Sequence, residues 1–156
     1  MAPDSPAMPR KCGEAPRGAL WAARVAVALV FVLNVQCAVQ FIVWPSAFAG
    51  AYELSGVAGN AAVQGLGVAF LMWNATYPLV IANPARHRTL FAVVLAQQAI
   101  GLVGESAILT TLPAGHELLS ASILRFIVFD AAGLVLMAAA FVWLIFTMRR
   151  IRRASR

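Results

Sequence analysis

Residues 121–148 read ASILRFIVFDAAGLVLMAAAFVWLIFTM, an apolar run whose charged side chains are Arg125 and Asp130. A helix needs about 20 mostly apolar residues to cross the hydrocarbon core of a bilayer, and this run exceeds that length. An ionised side chain at the membrane centre costs roughly 2.5–3.5 kcal/mol on insertion scales. The run therefore predicts a membrane-spanning helix whose charges are paired with other helices or, for the carboxyl group, neutralised.

Three more apolar runs precede this one. The predicted spans lie at about residues 22–44, 61–82, 89–112 and 121–148. A proline stands just past each of the first three, where a helix would stop: Pro45, Pro84 and Pro113. Because the chain is 62% hydrophobic and 12% charged, it is too apolar for a water-soluble core of its length. We therefore predict an all-α integral membrane four-helix bundle in residues 19–148.

The basic residues of the tails and loops lie on one side of this bundle. They precede the first span, separate the second from the third and follow the fourth: Arg10, Lys11, Arg17, Arg86, Arg88, Arg149, Arg150, Arg152, Arg153 and Arg156. The other two connections contain no Lys or Arg and carry Glu53 and Glu117. This positive-inside pattern predicts an up-down-up-down bundle with both termini cytoplasmic. Lys11 is the one lysine beside eleven arginines, and with the Ala and Gly content this favours a GC-rich bacterial genome and therefore a bacterial inner membrane.

Both ends of the chain are predicted to be polar tails. Residues 1–18 are Pro-rich and read as a disordered basic tail, and residues 149–156 form a basic cytoplasmic tail. The second tail is expected to anchor the topology and to contact anionic lipid headgroups, so the bilayer is a predicted partner and nucleic acid is not. His87 and His116 fall in loops on opposite sides, and no metal or cofactor site is predicted.

Two local features refine the picture of the second span and the loop before it. A short surface helix is expected around residues 48–54. Within the second span, Pro78 has no N–H to donate to the carbonyl of Asn74, so that carbonyl is expected to be free for another partner.

Glu105, in the stretch GLVGESAILTT, is a carboxylate inside the third span. Counted inward from the connection between the third and fourth spans, it lies at a depth bracketed by Arg125 and Asp130. Because helical side chains lean toward their own N-terminus, Glu105 and Asp130 are expected to approach each other, with Arg125 reaching back from the outer side. Such a group would be coupled and would hold or exchange a proton.

Amides at helical spacing extend this polar group into a stripe. The candidate ligand or proton site comprises Glu105, Asp130, Arg125, Asn74, Gln98, Gln36, Gln40 and Gln64. Facing one another, these side chains would line a cavity in the outer half of the bundle. The structural alternative stays open, because amides and glycines in spans often serve only helix packing and the charged trio can be a clamp. Ser106, Thr110 and Thr111 are expected to bond backbone carbonyls rather than act as nucleophiles.

The chain resembles the DoxX-like group of small bacterial four-helix membrane proteins. The likeness covers roughly residues 25–148 and rests on span count, loop order, the polar third and fourth spans, and the Gly-rich opening of the second span, AVQGLGVAFLMWN. This resemblance implies a small integral membrane protein, in some members associated with redox or terminal-oxidase functions. The predicted spans contain no His, so paired axial haem ligands are not expected.

Three functions fit these residues. The first is binding of an apolar or amphipathic ligand, or of a partner, through the outer polar cavity; homo-oligomerisation is left open. The second is proton-coupled export of a small molecule, although small multidrug transporters carry their membrane carboxylate in the first span, where this chain has only amides. The third is an intramembrane enzyme such as an isomerase, with Glu105 and Asp130 as acid and base; an enzyme is less expected than a binding protein.

Overall fold

The computed structural model of the chain describes residues 17–154, and its regular elements are helical. In chain order they are α1 (Arg17–Val43), α2 (Pro45–Ala49), α3 (Gly56–Asn74), α4 (Tyr77–Ala82), α5 (Arg88–Thr111) and α6 (Glu117–Ala154). A 3₁₀ turn, Gly50–Tyr52, follows α2, close to the expected surface helix. Because this described range contains no strand, the all-α prediction is confirmed.

Four helical segments are long and apolar enough to cross a membrane. They are Arg17–Val43, Gly56–Ala82, Arg88–Thr111 and Glu117–Ala154, and they correspond to the four predicted spans. Two helices extend into the segments predicted as tails. Helix α1 begins at Arg17, within the predicted tail 1–18, and α6 continues through basic residues of the predicted tail 149–156 to Ala154. The rest of the predicted disordered tail, residues 1–16, lies outside the described residues.

The buried apolar side chains form two clusters at different levels along α1. The larger joins the first half of α1 to α4, α5 and α6, and includes Ala23, Val27, Val80, Val94 and Leu144. The smaller is mainly aromatic and joins the end of α1 to α3, to α6 and to residues 45–53, which comprise α2, the 3₁₀ turn and Glu53 and which we call the α2 segment. Its aromatic members are Phe41, Phe48, Tyr52, Phe70 and Phe126. Polar side chains on α3, α5 and α6 lie between these levels, so a polar layer separates two apolar ones.

The second span is broken where it meets the polar layer. Helix α3 ends at Asn74, the N–H of Ala75 turns back to the carbonyl of Met72 at 3.3 Å, and α4 begins at Tyr77. The break follows from Pro78, which has no N–H for the carbonyl of Asn74. It lets α4 place Tyr77 inside the bundle, where that side chain is 1% exposed.

Two side chains tie the ends of α1 to the second span. Arg24 donates from Nη2 to the carbonyl of Ala82 at 2.9 Å, and Gln64 donates from Nε2 to the carbonyl of Ile42 at 3.1 Å. Both acceptors are carbonyls within the last turn of a helix, where the helix itself leaves such groups without a partner. Gln64, a predicted site residue, is exposed and serves this contact instead of lining a cavity with the other candidates.

Helices α1 and α3 approach most closely at Gly67. A Cβ at this position would stand 2.7 Å from the carbonyl oxygen of Ala38 and 2.8 Å from Ile42 Cγ1, whereas a Cβ at Gly65 would have no heavy atom within 4 Å. The absence of a side chain at position 67 therefore sets the distance between the two helices.

We expect Gly67→Ala to destabilise the bundle by about 1–3 kcal/mol, the range for overpacking a tight interior. Gly65→Ala, one glycine away on the same helix, is the matched control and should leave stability unchanged or slightly increased. Thermal unfolding in detergent, followed by circular dichroism, measures both. Equal melting temperatures for the two variants would contradict the close approach at Gly67.

Candidate functional site

A hydrogen-bonded chain of three side chains crosses the middle of the bundle. Gln98 on α5 donates from Nε2 to Asp130 Oδ1 on α6 across 2.7 Å, and the hydroxyl of Tyr77 on α4 donates to Gln98 Oε1 across 3.4 Å. Gln98 is only 4% exposed. A buried polar group without a partner is costly in apolar surroundings, so these two hydrogen bonds hold α4, α5 and α6 in fixed positions relative to one another.

Two glycines make room for the bond between Gln98 and Asp130. A Cβ at Gly101 on α5 would collide with Asp130 Oδ2, and a Cβ at Gly133 on α6 would stand 3.2 Å from Gln98 Nε2. Each glycine thus faces the polar side chain of the opposite helix. The two positions allow α5 and α6 to come close enough for the hydrogen bond to form.

Glu105 and Asp130 line one small cavity, which we call the acid pocket. Its volume is about 30 Å³, and its lining residues are Asn34, Phe70, Trp73, Asn74, Tyr77, Gln98, Glu105, Phe126 and Asp130. Glu105 Oε2 is buried and has no hydrogen-bond partner within the described part of the chain. A cavity of this volume has room for about one water molecule. The sequence therefore correctly placed the two acids at one level, and the structure adds four aromatic side chains around them.

Asn74 is held by hydrogen bonds at the edge of the acid pocket. Its Nδ2 donates to the carbonyl of Phe70 at 2.8 Å, and its Oδ1 accepts from Asn34 Nδ2 at 3.4 Å. The second bond connects α1 to α3. Asn34 and Tyr77 are not among the site residues that the sequence predicts, and Tyr77 reaches Gln98 at the break in the second span beside Pro78.

A second and larger cavity, which we call the α1–α6 cavity, lies on the other side of Phe126. Its volume is about 350 Å³, and it is lined by Leu33, Asn34, Gln36, Cys37, Gln40, Phe41, Phe48, Ala51, Tyr52, Ser122, Arg125, Phe126 and Phe129. Three predicted site residues, Gln36, Gln40 and Arg125, are found here. Asn34 and Phe126 line both cavities, so the cavities are neighbours with a shared wall.

The position of Arg125 differs from the expected one. Its side chain is exposed in the α1–α6 cavity, and among residues 17–154 no hydrogen bond or ion pair links it to Glu105 or Asp130. Arg125 and Asp130 are five residues apart, which is about 140° around a helix, so they face different cavities. The predicted depth was correct, but helix rotation separates the arginine from the acids.

The α2 segment is fastened over the α1–α6 cavity by contacts to the start of α6. Glu53 Oε2 lies 2.5 Å from His116 Nδ1, and Glu53 Oε1 accepts from the N–H of Leu119 at 3.3 Å. Ser122 donates from Oγ to the carbonyl of Ala51 at 2.6 Å. The sequence predicts that Glu53 and His116 lie in loops on the same side of the bundle, but no pattern in either loop indicates that the two side chains pair.

The hydroxyl residues near the end of α5 bond to their own helix, as the sequence predicted. Ser106 Oγ donates to the carbonyl of Leu102 at 2.6 Å, Thr110 Oγ1 to Ala107 at 2.8 Å, and Thr111 Oγ1 to Ile108 at 3.0 Å. These hydroxyl groups satisfy themselves locally and take no part in either cavity.

The chain was compared with family models, with curated proteins and with solved structures, and none of the three comparisons gave a match. The resemblance to the DoxX-like group therefore stays a prediction from the sequence. The candidate site has to be interpreted from its own geometry.

We expect Gly101→Ala to break the hydrogen bond between Gln98 and Asp130, because the added methyl group occupies the space of Asp130 Oδ2. The free energy of unfolding is expected to fall by about 1–2 kcal/mol, the size of an interhelical hydrogen bond in model membrane peptides. Gly104→Ala is the control, since a Cβ there meets no heavy atom within 4 Å. Thermal unfolding in detergent should separate the two variants, and identical curves would contradict the packing of α5 on α6.

The contact between Glu53 and His116 is expected to make the stability of the bundle depend on pH. The hydrogen bond to His116, helped by the N–H of Leu119, holds the pKa of Glu53 below its usual value of 4.5. Because the folded-state pKa is depressed, the stabilisation is present above pH 4.5 and is lost as pH falls through the lower folded-state value.

The melting temperature of the wild-type chain should exceed that of Glu53→Gln at neutral pH, and the difference should shrink below about pH 4. The same difference should be smaller at neutral pH in a His116→Ala background, where the main partner is missing. A difference that is unchanged at pH 3, or unaffected by His116→Ala, would show that this contact does not hold the segment.

Proposed function

We propose that this protein binds a small amphipathic molecule in the α1–α6 cavity. The observation that carries the proposal is the cavity itself, which has about 350 Å³ and combines aromatic walls with the polar side chains of Gln36, Gln40 and Arg125. Ligand sites in proteins are typically about 300–1,000 Å³, mostly apolar, and carry a few polar groups that orient the ligand. This cavity has the size and the composition of such a site.

The proposed setting is a bacterial inner membrane, crossed by an up-down-up-down bundle with both termini in the cytoplasm. The one-sided placement of basic residues supports the cytoplasmic location of both termini. Contacts between opposite ends of neighbouring spans, Arg24 with Ala82 and Gln64 with Ile42, support the antiparallel order of the first two spans. In this orientation the α1–α6 cavity lies in the outer half of the membrane and is covered by the α2 segment.

The hydrogen bonds divide the polar side chains into two groups with different roles. Gln98, Asp130, Tyr77 and Asn74 are engaged with one another or with backbone in the middle of the bundle. Gln36, Gln40 and Arg125 line the larger cavity and have no hydrogen bonds to other side chains in residues 17–154. The first group supports a structural role, and the second is available to a ligand.

Proton-coupled export is the second candidate function. Its supporting observation is Glu105 Oε2, which is buried beside Asp130 without a hydrogen-bond partner in the described residues. A transported molecule would have to reach Glu105, and the acid pocket of about 30 Å³ holds no more than about one water. Phe126 separates this pocket from the α1–α6 cavity, so ligand binding in the larger cavity fits the geometry better.

Cys37, which lines the α1–α6 cavity, reports directly on ligand occupancy. A Cys12→Ser chain keeps Cys37 as its single thiol, and its reaction with N-ethylmaleimide is followed by mass spectrometry in phosphatidylcholine vesicles. We expect dodecyl amphiphiles to slow this reaction by about tenfold at a concentration roughly ten times their dissociation constant. The tested amphiphiles are dodecanoate, dodecanol and dodecyltrimethylammonium.

The control is a thiol outside the cavity. Val39 lies two residues from Cys37, is 42% exposed and does not line the cavity, so Val39→Cys in a Cys12→Ser, Cys37→Ser background reports non-specific effects of the amphiphile on the bilayer. Its reaction rate should not change. Protection of neither thiol, or equal protection of both, would contradict the proposed function.

A further inference from the structure

Among the described residues that line the α1–α6 cavity, Arg125 is the one with a charged side chain. Its guanidinium has no hydrogen-bond or ion-pair partner in the part of the chain that the structure describes, and its side chain is exposed there. Glu105 and Asp130 lie in the acid pocket behind Phe126, and Asp130 already accepts a hydrogen bond from Gln98. The cavity therefore contains a positive charge without a protein counterion.

An arginine within a membrane-spanning helix is costly unless it is paired, so such a residue indicates a partner. Arg125 lies about two helical turns, or roughly 12 Å, into α6 from its start at Glu117. Its five N–H donors in a planar fork match a carboxylate or phosphate oxygen pair. An anionic group is the partner that this geometry would accept.

The other lining residues indicate which part of a ligand lies where. Gln36 and Gln40 stand one turn apart on α1 and offer amide N–H groups beside Arg125. Leu33 precedes Gln36 on α1 and Phe129 follows Arg125 on α6, so both apolar residues lie on the side away from the α2 segment. Leu33 and Gln36 are exposed, so the cavity is open at the surface of the bundle, and in the proposed membrane setting this opening would face lipid.

We propose that the α1–α6 cavity binds a single-chain amphiphile with an anionic head, such as a long-chain alkyl carboxylate taken from the bilayer. Arg125 is the counterion of the head, Gln36 and Gln40 donate hydrogen bonds to it, and the chain lies against Leu33 and Phe129. This inference rests on the proposed ligand-binding function and adds the charge and shape of the ligand.

The test compares head groups on one dodecyl chain, with Cys37 protection in the Cys12→Ser chain as the readout. Dodecanoate, dodecanol and dodecyltrimethylammonium are added to phosphatidylcholine vesicles at pH 9 and compared at equal mole fraction in the bilayer. Sodium acetate and inorganic phosphate are added separately as water-soluble anions. We expect dodecanoate to protect Cys37 at about tenfold lower mole fraction than the other two, because a hydrogen bond to a charged group contributes at least a factor of this size.

Arg125→Gln should remove the preference for dodecanoate, whereas Arg125→Lys should retain part of it. Arg88→Gln, which removes one charge from the start of α5, is the control and should leave the preference unchanged. The comparison of head groups in the chain that retains Arg125 does not depend on the folding of any Arg125 variant.

Each other outcome overturns a defined part of the account. Equal protection by all three heads, stronger protection by the cationic head, or a preference that survives Arg125→Gln overturns the anionic assignment and leaves the proposed function intact. Protection by acetate or phosphate alone overturns the assignment of an alkyl chain. Absence of protection by every amphiphile overturns the inference together with the proposed function.

Discussion

The hydrogen bond from Gln98 to Asp130 is the interaction on which the middle of this bundle depends. It lies between two apolar clusters and joins α5 to α6, and through Tyr77 it extends to α4. In an apolar environment, away from water, a hydrogen bond between a carboxyl group and an amide is strong, and either group left without a partner costs free energy. A side chain at Gly101 would collide with Asp130, and one at Gly133 would crowd the side-chain nitrogen of Gln98 at 3.2 Å.

Asp130 is hydrogen-bonded to Gln98 and is not paired with Arg125, the arginine on the same helix, in the described residues. Helix rotation places Arg125 in a cavity with Gln36 and Gln40, and Phe126 forms the wall between that cavity and the two acids. The polar residues of the long helices thus have different surroundings. Gln98 and Asp130 join two helices, and Glu105 has a buried Oε2 in the acid pocket without a hydrogen-bond partner in residues 17–154. Gln36, Gln40 and Arg125 line the α1–α6 cavity, a space of about 350 Å³. Contacts from Glu53 and Ser122 hold the α2 segment as a cover over that space.

The sequence predicted the helices well and the site in part. Length, hydropathy and the positions of Pro45, Pro84 and Pro113 were sufficient for four long helices, since these signals are local. Depth counting placed Glu105 beside Asp130 because helical rise is regular. The separation of Arg125 from the two acids and the contact of Gln64 with Ile42 were not predictable in this way, because they depend on helix rotation and on which helices are neighbours. Likewise, the pair of Glu53 with His116 joins residues 63 positions apart, and no pattern within either loop encodes it.

The hydrogen bond between Gln98 and Asp130 is tested most directly by a solid-state NMR distance in lipid bilayers, measured between the side-chain nitrogen of Gln98 and Asp130 Cγ. We predict a separation below about 4 Å, as an ordinary hydrogen bond between these groups requires. We also predict that Arg125 Cζ lies well beyond hydrogen-bonding distance of the same carboxyl carbon. A long distance from Gln98 combined with a short one from Arg125 would mean that the charges on α6 pair with each other, and would contradict the separation of Arg125 from the hydrogen-bonded network in the middle of the bundle.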